Sequence, residues 1–186
     1  MKRILSTASF AVALAIGAAP AASAQTVMVG GEAMYRTKDI VDNAVKSADH
    51  TTLVAAVKAA DLVETLKGAG PYTVFAPVND AFENLPDGTV ATLLKPENKA
   101  SLAKVLTYHV VPGKYDAAAL EKMIRKGNGR AILKTASGGT LTASMNGARN
   151  IVVTDESGGT SRISTYNVYQ SNGVIHVLDR VLLPKM

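Results

Sequence analysis

Three histidines, one pair of carboxylates and two glycine-flanked serines are the residues of this chain whose types and spacing could carry chemistry. A lone imidazole serves as general base, metal ligand or buried hydrogen-bonding group, and its neighbours decide which. His50 precedes a helix in polar company and is expected to be exposed. His109 lies on the apolar face of a helical stretch, and His176 stands inside an aliphatic run. Among aliphatics, an imidazole whose nitrogens bond to backbone is the ordinary arrangement. There is no H-x-H or H-E-x-x-H pair and no cysteine, so a zinc site has no local signature. No metal or cofactor is expected.

Nucleophilic chemistry has as little to stand on. G-x-S-x-G is absent, and Ser137 and Ser157 fall in glycine turns that already account for them. Asp80 and Glu83 are spaced to work as acid and base. Placed just behind Asn79, however, they read as first-turn carboxylates favoured by a helix dipole. Phosphate-loop and dinucleotide fingerprints are missing. The residues point away from an enzyme.

The elements that must position these groups divide into two halves. Ile40, Val41, Ala44, Val45 and Ala48 share a helical face, with Asp39 or Thr37 placed to cap it. A second helix starts at His50-Thr51-Thr52. Asp61 and Glu64 have the spacing of a capping box, and Gly68 and Gly70-Pro71 stop the helix they would open. Tyr72–Ala76 reads as a short apolar strand, after which Asn79 is placed to cap the next turn. Over Glu97–Val110, Leu102, Val105, Leu106 and His109 recur at i, i+3, i+4, i+7. That period puts Tyr108 on a more exposed flank with Ser101 and Lys104. Asp116 caps a last helix that ends at Gly127.

From Arg130 the pattern changes to strands. Ala131–Thr135, Thr140–Met145, Asn150–Thr154, Arg162–Gln170 and Val174–Leu183 are β-rich, separated by Gly-containing turns. The last run is apolar on both faces, which predicts a strand enclosed by protein on either side. Segregated helices and strands predict an α+β class with an antiparallel sheet. No linker or repeat divides the chain, so one domain is expected over residues 39–186, with residues 25–38 as a partly ordered lead-in.

Residues 1–24 read as a secretory signal peptide: Lys2 and Arg3, the apolar run Ile4–Ile16, then Ala22-Ser23-Ala24 as the cleavage signal. Cleavage after Ala24 leaves 162 of the 186 residues and lowers the net charge from +5 to +3. The product is expected to be secreted or periplasmic and to carry no transmembrane segment. Lys122, Arg125, Lys126, Arg130 and Lys134 gather in one region without tryptophan or neighbouring aromatic rings. They read as a solvated face, open to an acidic polysaccharide, and not as a nucleic-acid groove.

Three stretches resemble the fasciclin (FAS1) family. Tyr72-Thr73-Val74-Phe75-Ala76-Pro77-Val78-Asn79-Asp80-Ala81-Phe82 is similar to its first signature, Tyr108-His109-Val110-Val111-Pro112-Gly113 to its central Y-H motif, and Ser171–Pro184 to its second signature. The resemblance runs from about Ile40 to Pro184. It implies a single FAS1-like domain, a β-sandwich or wedge with helices along one side. It further implies an exported, non-catalytic adhesion module that contacts a cell-surface or matrix protein or polysaccharide, with homo-oligomerisation left open. Relatives that hold carotenoids imply the alternative, a carrier of a hydrophobic carotenoid or lipid in a helix–sheet groove. The Y-H motif is implicated in receptor binding, which maps to Tyr108 and His109, with Tyr108 as the contacting residue and His109 as its support. Two departures stand out. Asn167-Val168 replaces the family's Asp-Ile pair, and Val78 replaces a common threonine.

Overall fold

A hairpin opens the chain: β1 (Val27–Val29) pairs antiparallel with β2 (Glu32–Met34). The computed structural model describes residues 26–185, so the signal-peptide reading of residues 1–24 lies outside the described residues. The predicted lead-in is in this part a built element. Val29 and Met34 are buried and join the core, because alternation along two short strands turns both inward.

Three short helices follow: α1 (Ile40–Ala44), α2 (Thr51–Ala59) and α3 (Val63–Lys67). Asp39 caps α1 as expected, accepting from Asp42 N at 2.7 Å. The Asp61–Glu64 capping box does not form. Asp61 adopts φ +54° and pairs with Lys99, and α3 starts without a side-chain cap. After β3 (Tyr72–Pro77) come α4 (Asn79–Glu83), α5 (Thr89–Leu93), α6 (Lys99–Tyr108), β4 (Val110–Pro112) and α7 (Ala117–Lys126). The meander is β5 (Arg130–Lys134), β6 (Thr140–Asn146), β7 (Asn150–Thr154), β8 (Thr160–Gln170) and β9 (Gly173–Leu178).

Seven strands form one sheet in the order β4-β3-β9-β8-β7-β6-β5. The class is α+β, as predicted. One pair departs from the antiparallel expectation: β3 and β9 run parallel, Phe75 opposite His176. Parallel neighbours need a long crossover, and everything from α4 to β8 supplies it. β8 carries two register shifts near Thr165 and pairs with β7 at one end and with β9 along its length. Bulges of this kind bend a strand. The sheet curls until its two ends meet, where Ala136 N donates to Val110 O at 2.7 Å.

β3 and β9 separate two cores. Val74, Ala76, Ile175 and Val177 face the helices α1–α3 and α6. Phe75 and Leu178 face the interior of the curled sheet beside Leu120, Leu141 and Val153. All six residues of β9 are buried, so the expectation of a strand enclosed on both sides holds. Burying each aliphatic side chain there contributes about 1.5–3 kcal/mol. The strand is shorter than predicted. At Asp179 the chain turns out, because the carboxylate accepts from Ser161 Oγ at 3.0 Å and Arg162 N at 2.8 Å. Val181 and Leu182 stay buried without strand pairing.

Candidate functional site

Tyr108 ends α6, and His109 follows it as the C-cap. The expected exposed flank for Tyr108 is not there: the residue is wholly buried. Its hydroxyl donates to Thr140 O at 2.7 Å and accepts from Glu156 N at 3.0 Å. Thr140 opens β6 and Glu156 lies in the turn between β7 and β8, so the meander folds over the end of α6. Gly139 rests on the ring so closely that a Cβ there would stand 2.7 Å from Tyr108 Cε2. Burial, with the Glu156 and Asp155 charges adding to it, raises the phenol above its usual range.

His109 is buried as predicted. Its Nδ1 contacts Val105 O at 2.9 Å and so carries the proton, which leaves the Nε2 lone pair to accept from Leu182 N at 3.0 Å. Desolvation lowers its pKa from 6.5 to about 4, so the ring is neutral. Beside it, Asp155 Oδ2 accepts from Leu183 N at 2.9 Å. Together the two side chains fasten the segment after β9.

His176 is also buried, with its ring stacked on Phe75 and edge-on to Tyr166. Nε2 donates to Tyr115 O at 2.8 Å, and burial lowers its pKa. His50 corrects an expectation: it is 3% exposed, not open to solvent. Nδ1 bonds to Ser47 Oγ at 2.8 Å, and Nε2 lacks a hydrogen-bond partner among the described residues. Desolvation lowers its pKa, with the Ala76 carbonyl opposing. His50 and His109 line one apolar cavity under the helices, and His176 stacks on Phe75 in the other core. Among the described residues none of the three is hydrogen-bonded to a carboxylate. Among the described residues no three His, Asp or Glu side chains cluster to hold a metal.

Asparagines do structural work that sequence reasoning missed. Asn79 does not cap α4, whose N-cap is Val78. Its Oδ1 reaches back to accept from Thr52 N at 3.0 Å, and its Nδ2 donates to Ala48 O at 2.8 Å, so it caps α2 instead. Asn172 Oδ1 accepts from Ile40 N at 3.1 Å, and its Nδ2 donates to Leu66 O at 2.8 Å and Gly68 O at 2.9 Å. Asn167 holds φ +58° in the β8 bulge and accepts from Ala117 N at 2.8 Å. The position where a carboxylate was missed is therefore turned inward onto α7.

Between α1–α3, α6 and the β3–β9 face lies a cavity of about 130 Å³. Ile40, Leu53, Val57, Leu66, Val74 and Ile175 form much of its wall, which is almost purely apolar.

The Fasciclin domain family matches residues 48–184. This chain belongs to that family. The fasciclin domain here is 44% identical over 162 residues to Protein sll1483 of Synechocystis, covering 87% of this chain and 82% of that one. Immunogenic protein MPT70 of Mycobacterium tuberculosis is 30% identical over 207 aligned positions, with 99% and 98% covered. Transforming growth factor-beta-induced protein ig-h3 of Sus scrofa is 36% identical over 132 residues, 71% of this chain but 17% of the relative. The FAS1 domain pair of the insect cell adhesion molecule Fasciclin I superimposes with a TM-score of 0.69 at 18% identity, over 78% of this chain and 51% of that one. The fold read from the three motifs is thus borne out. Among the described residues no helix is long and apolar enough to cross a membrane.

Proposed function

We propose that this fasciclin domain is an exported, non-catalytic binding module that contacts cell-surface or matrix components through its outer surface. The observation that carries the reading is the inward use of its chemical residues. His109, His176 and Tyr108 are all buried and bonded to backbone groups. None is free to reach a substrate. Fasciclin domains are known from adhesion proteins, ig-h3 and periostin among them, which supports the same role. Tyr108 and His109 then serve binding by holding the start of β6, the Glu156 turn and the Leu182 segment in place.

The test is retention of the secreted protein on cell-envelope and matrix fractions, alongside a general substrate panel. Retention without turnover is expected. Turnover that vanishes in a His109 or His176 variant would sink the proposal. The same sample gives the N-terminus, for which Gln25 is expected after signal cleavage.

The apolar cavity favours a second reading, a carrier of a hydrophobic small molecule. At about 130 Å³ it is close to engineered cavities that take a benzene ring. A carotenoid or lipid would enter by an end group, not whole. Mass spectrometry of the endogenous protein separates the readings: co-purifying pigment or lipid favours carriage, and a clean mass favours surface binding.

A further inference from the structure

We propose that the outer face of β5–β8 docks an acidic polysaccharide, a chain of carboxylated or sulfated sugars, across Arg130, Arg162 and Arg180. This deepens the binding role proposed above and rests on it.

Strand register builds the face. Arg130 pairs with Ser144, Ser144 with Val152, and Val152 with Arg162, one row across four strands. The next row is Ile132, Thr142, Thr154 and Thr160. The residues between the two rows (Ala131, Ala143, Val153 and Ser161) are buried on the opposite side. Strand spacing puts the ends of the first row about 14 Å apart, the span of a short oligosaccharide.

No carboxylate stands in either row. Arg130, Arg162 and Arg180 are exposed, and none has a carboxylate within ion-pair reach among the described residues. Arg162 and Arg180 share an open concavity of about 670 Å³ with Asn84, Asn146 and Thr160. Asp179 lies in it too, but its Oδ1 is taken by Ser161 Oγ and Arg162 N. At the other end Lys126 adjoins Arg130.

This composition selects the partner. Guanidinium groups pair with carboxylate and sulfate oxygens, and threonine, serine and asparagine side chains offer hydrogen bonds to sugar hydroxyls. Neither row holds an aromatic ring on which nucleic-acid bases could stack. Ile132 is the one large apolar side chain strongly exposed there, too little to insert in a lipid surface.

The experiment passes the full chain over immobilised polygalacturonate and heparin, with neutral dextran and single-stranded DNA as comparators. Salt-dependent retention on either acidic glycan and none on dextran is expected. The triple variant Arg130→Gln, Arg162→Gln, Arg180→Gln should lose about tenfold or more in affinity, with a shallower salt dependence and an unchanged melt. Each single variant should lose part of that, which keeps the test alive if the triple variant melts early. Arg36→Gln with Lys114→Gln, elsewhere on the surface, should bind as the parent does. Equal binding by the triple variant, equal loss in that control pair, equal retention on DNA, or no retention on either glycan overturns the assignment. If the triple variant still adheres to cell-envelope material, the docking face is wrong while the binding role stands. If the parent adheres to nothing, the binding role itself fails.

Discussion

His109 receives the backbone amide of Leu182 on Nε2 at 3.0 Å, so the end of α6 holds the segment that follows β9. The two residues are far apart in sequence, and the bond ties the Y-H motif to the second signature. Leu182 is itself wholly buried. The domain therefore closes its core late in the chain, with an imidazole as the latch.

That latch works only while His109 is neutral. Its pKa falls from 6.5 to about 4 in the folded protein, so between those values the unfolded chain binds more protons. Stability is then complete above pH 6.5 and is lost as pH falls toward 4. At about 1.4 kcal/mol per pKa unit, His109 alone accounts for a loss on the order of 3 kcal/mol. His50 and His176, also lowered by burial, add in the same direction. Urea unfolding followed from pH 7 to pH 4 should show the midpoint falling. A flat profile would show that the imidazoles are not desolvated.

Tyr108→Phe keeps the ring and removes the hydroxyl that bridges Thr140 O and Glu156 N. Two part-buried backbone groups lose this partner, at a cost of about 1 kcal/mol. A lowered melting temperature is expected with an unchanged spectrum of secondary structure. Tyr108→Ala empties the space as well and should cost roughly 3–5 kcal/mol. If Phe is tolerated without loss, the hydroxyl is not a structural bridge.

Much of this was legible beforehand, and the misses share a cause. Hydrophobic period two marked β9, period 3.6 marked α6, and Asp116 was read correctly as the cap of α7, accepting from Ala119 N. Local pattern carries that much. Tyr108, His50 and Asn79 were misplaced because their surroundings come from elsewhere in the chain. A helical wheel shows Tyr108 beside Ser101 and Lys104, and it cannot show Gly139 folding onto the ring. Asn79 sits where a local cap belongs, yet its acceptor serves Thr52, 27 residues earlier. Nothing in the spacing announces such a contact.

Asn172 is the sharpest test of that kind of contact. It accepts from Ile40 N and donates to Leu66 O and Gly68 O, joining α1 and α3 to the turn before β9. Asn172→Asp keeps the acceptor but sets a carboxylate against two carbonyl oxygens. Asn172→Ala leaves three groups without partners. Both should destabilise by about 2–4 kcal/mol, with Asp recovering stability at low pH, where the carboxyl is protonated and can donate. Denaturant titration of both variants at pH 7 and pH 4.5, referenced to the parent at each pH, decides it. Equal losses for Asp at both pH values would show that the donor bonds contribute nothing.

The apolar cavity makes the last prediction. An apolar space of about 130 Å³ walled by Leu53, Val57, Val74 and Ile175 leaves its lining short of dispersion contacts. Benzene or xenon should enter it and raise the melting temperature, since a ligand that binds only the folded state stabilises it by mass action. Val57→Leu adds one methylene toward the space. Elsewhere in a packed core such an addition strains the structure, but here it should be neutral or stabilising, and it should weaken benzene binding. A parent that ignores benzene while Val57→Leu is destabilised by more than about 1 kcal/mol would mean that the helices already close the gap in solution. In that case nothing hydrophobic is carried there, and the outer sheet face is left as the surface on which the protein meets its partner.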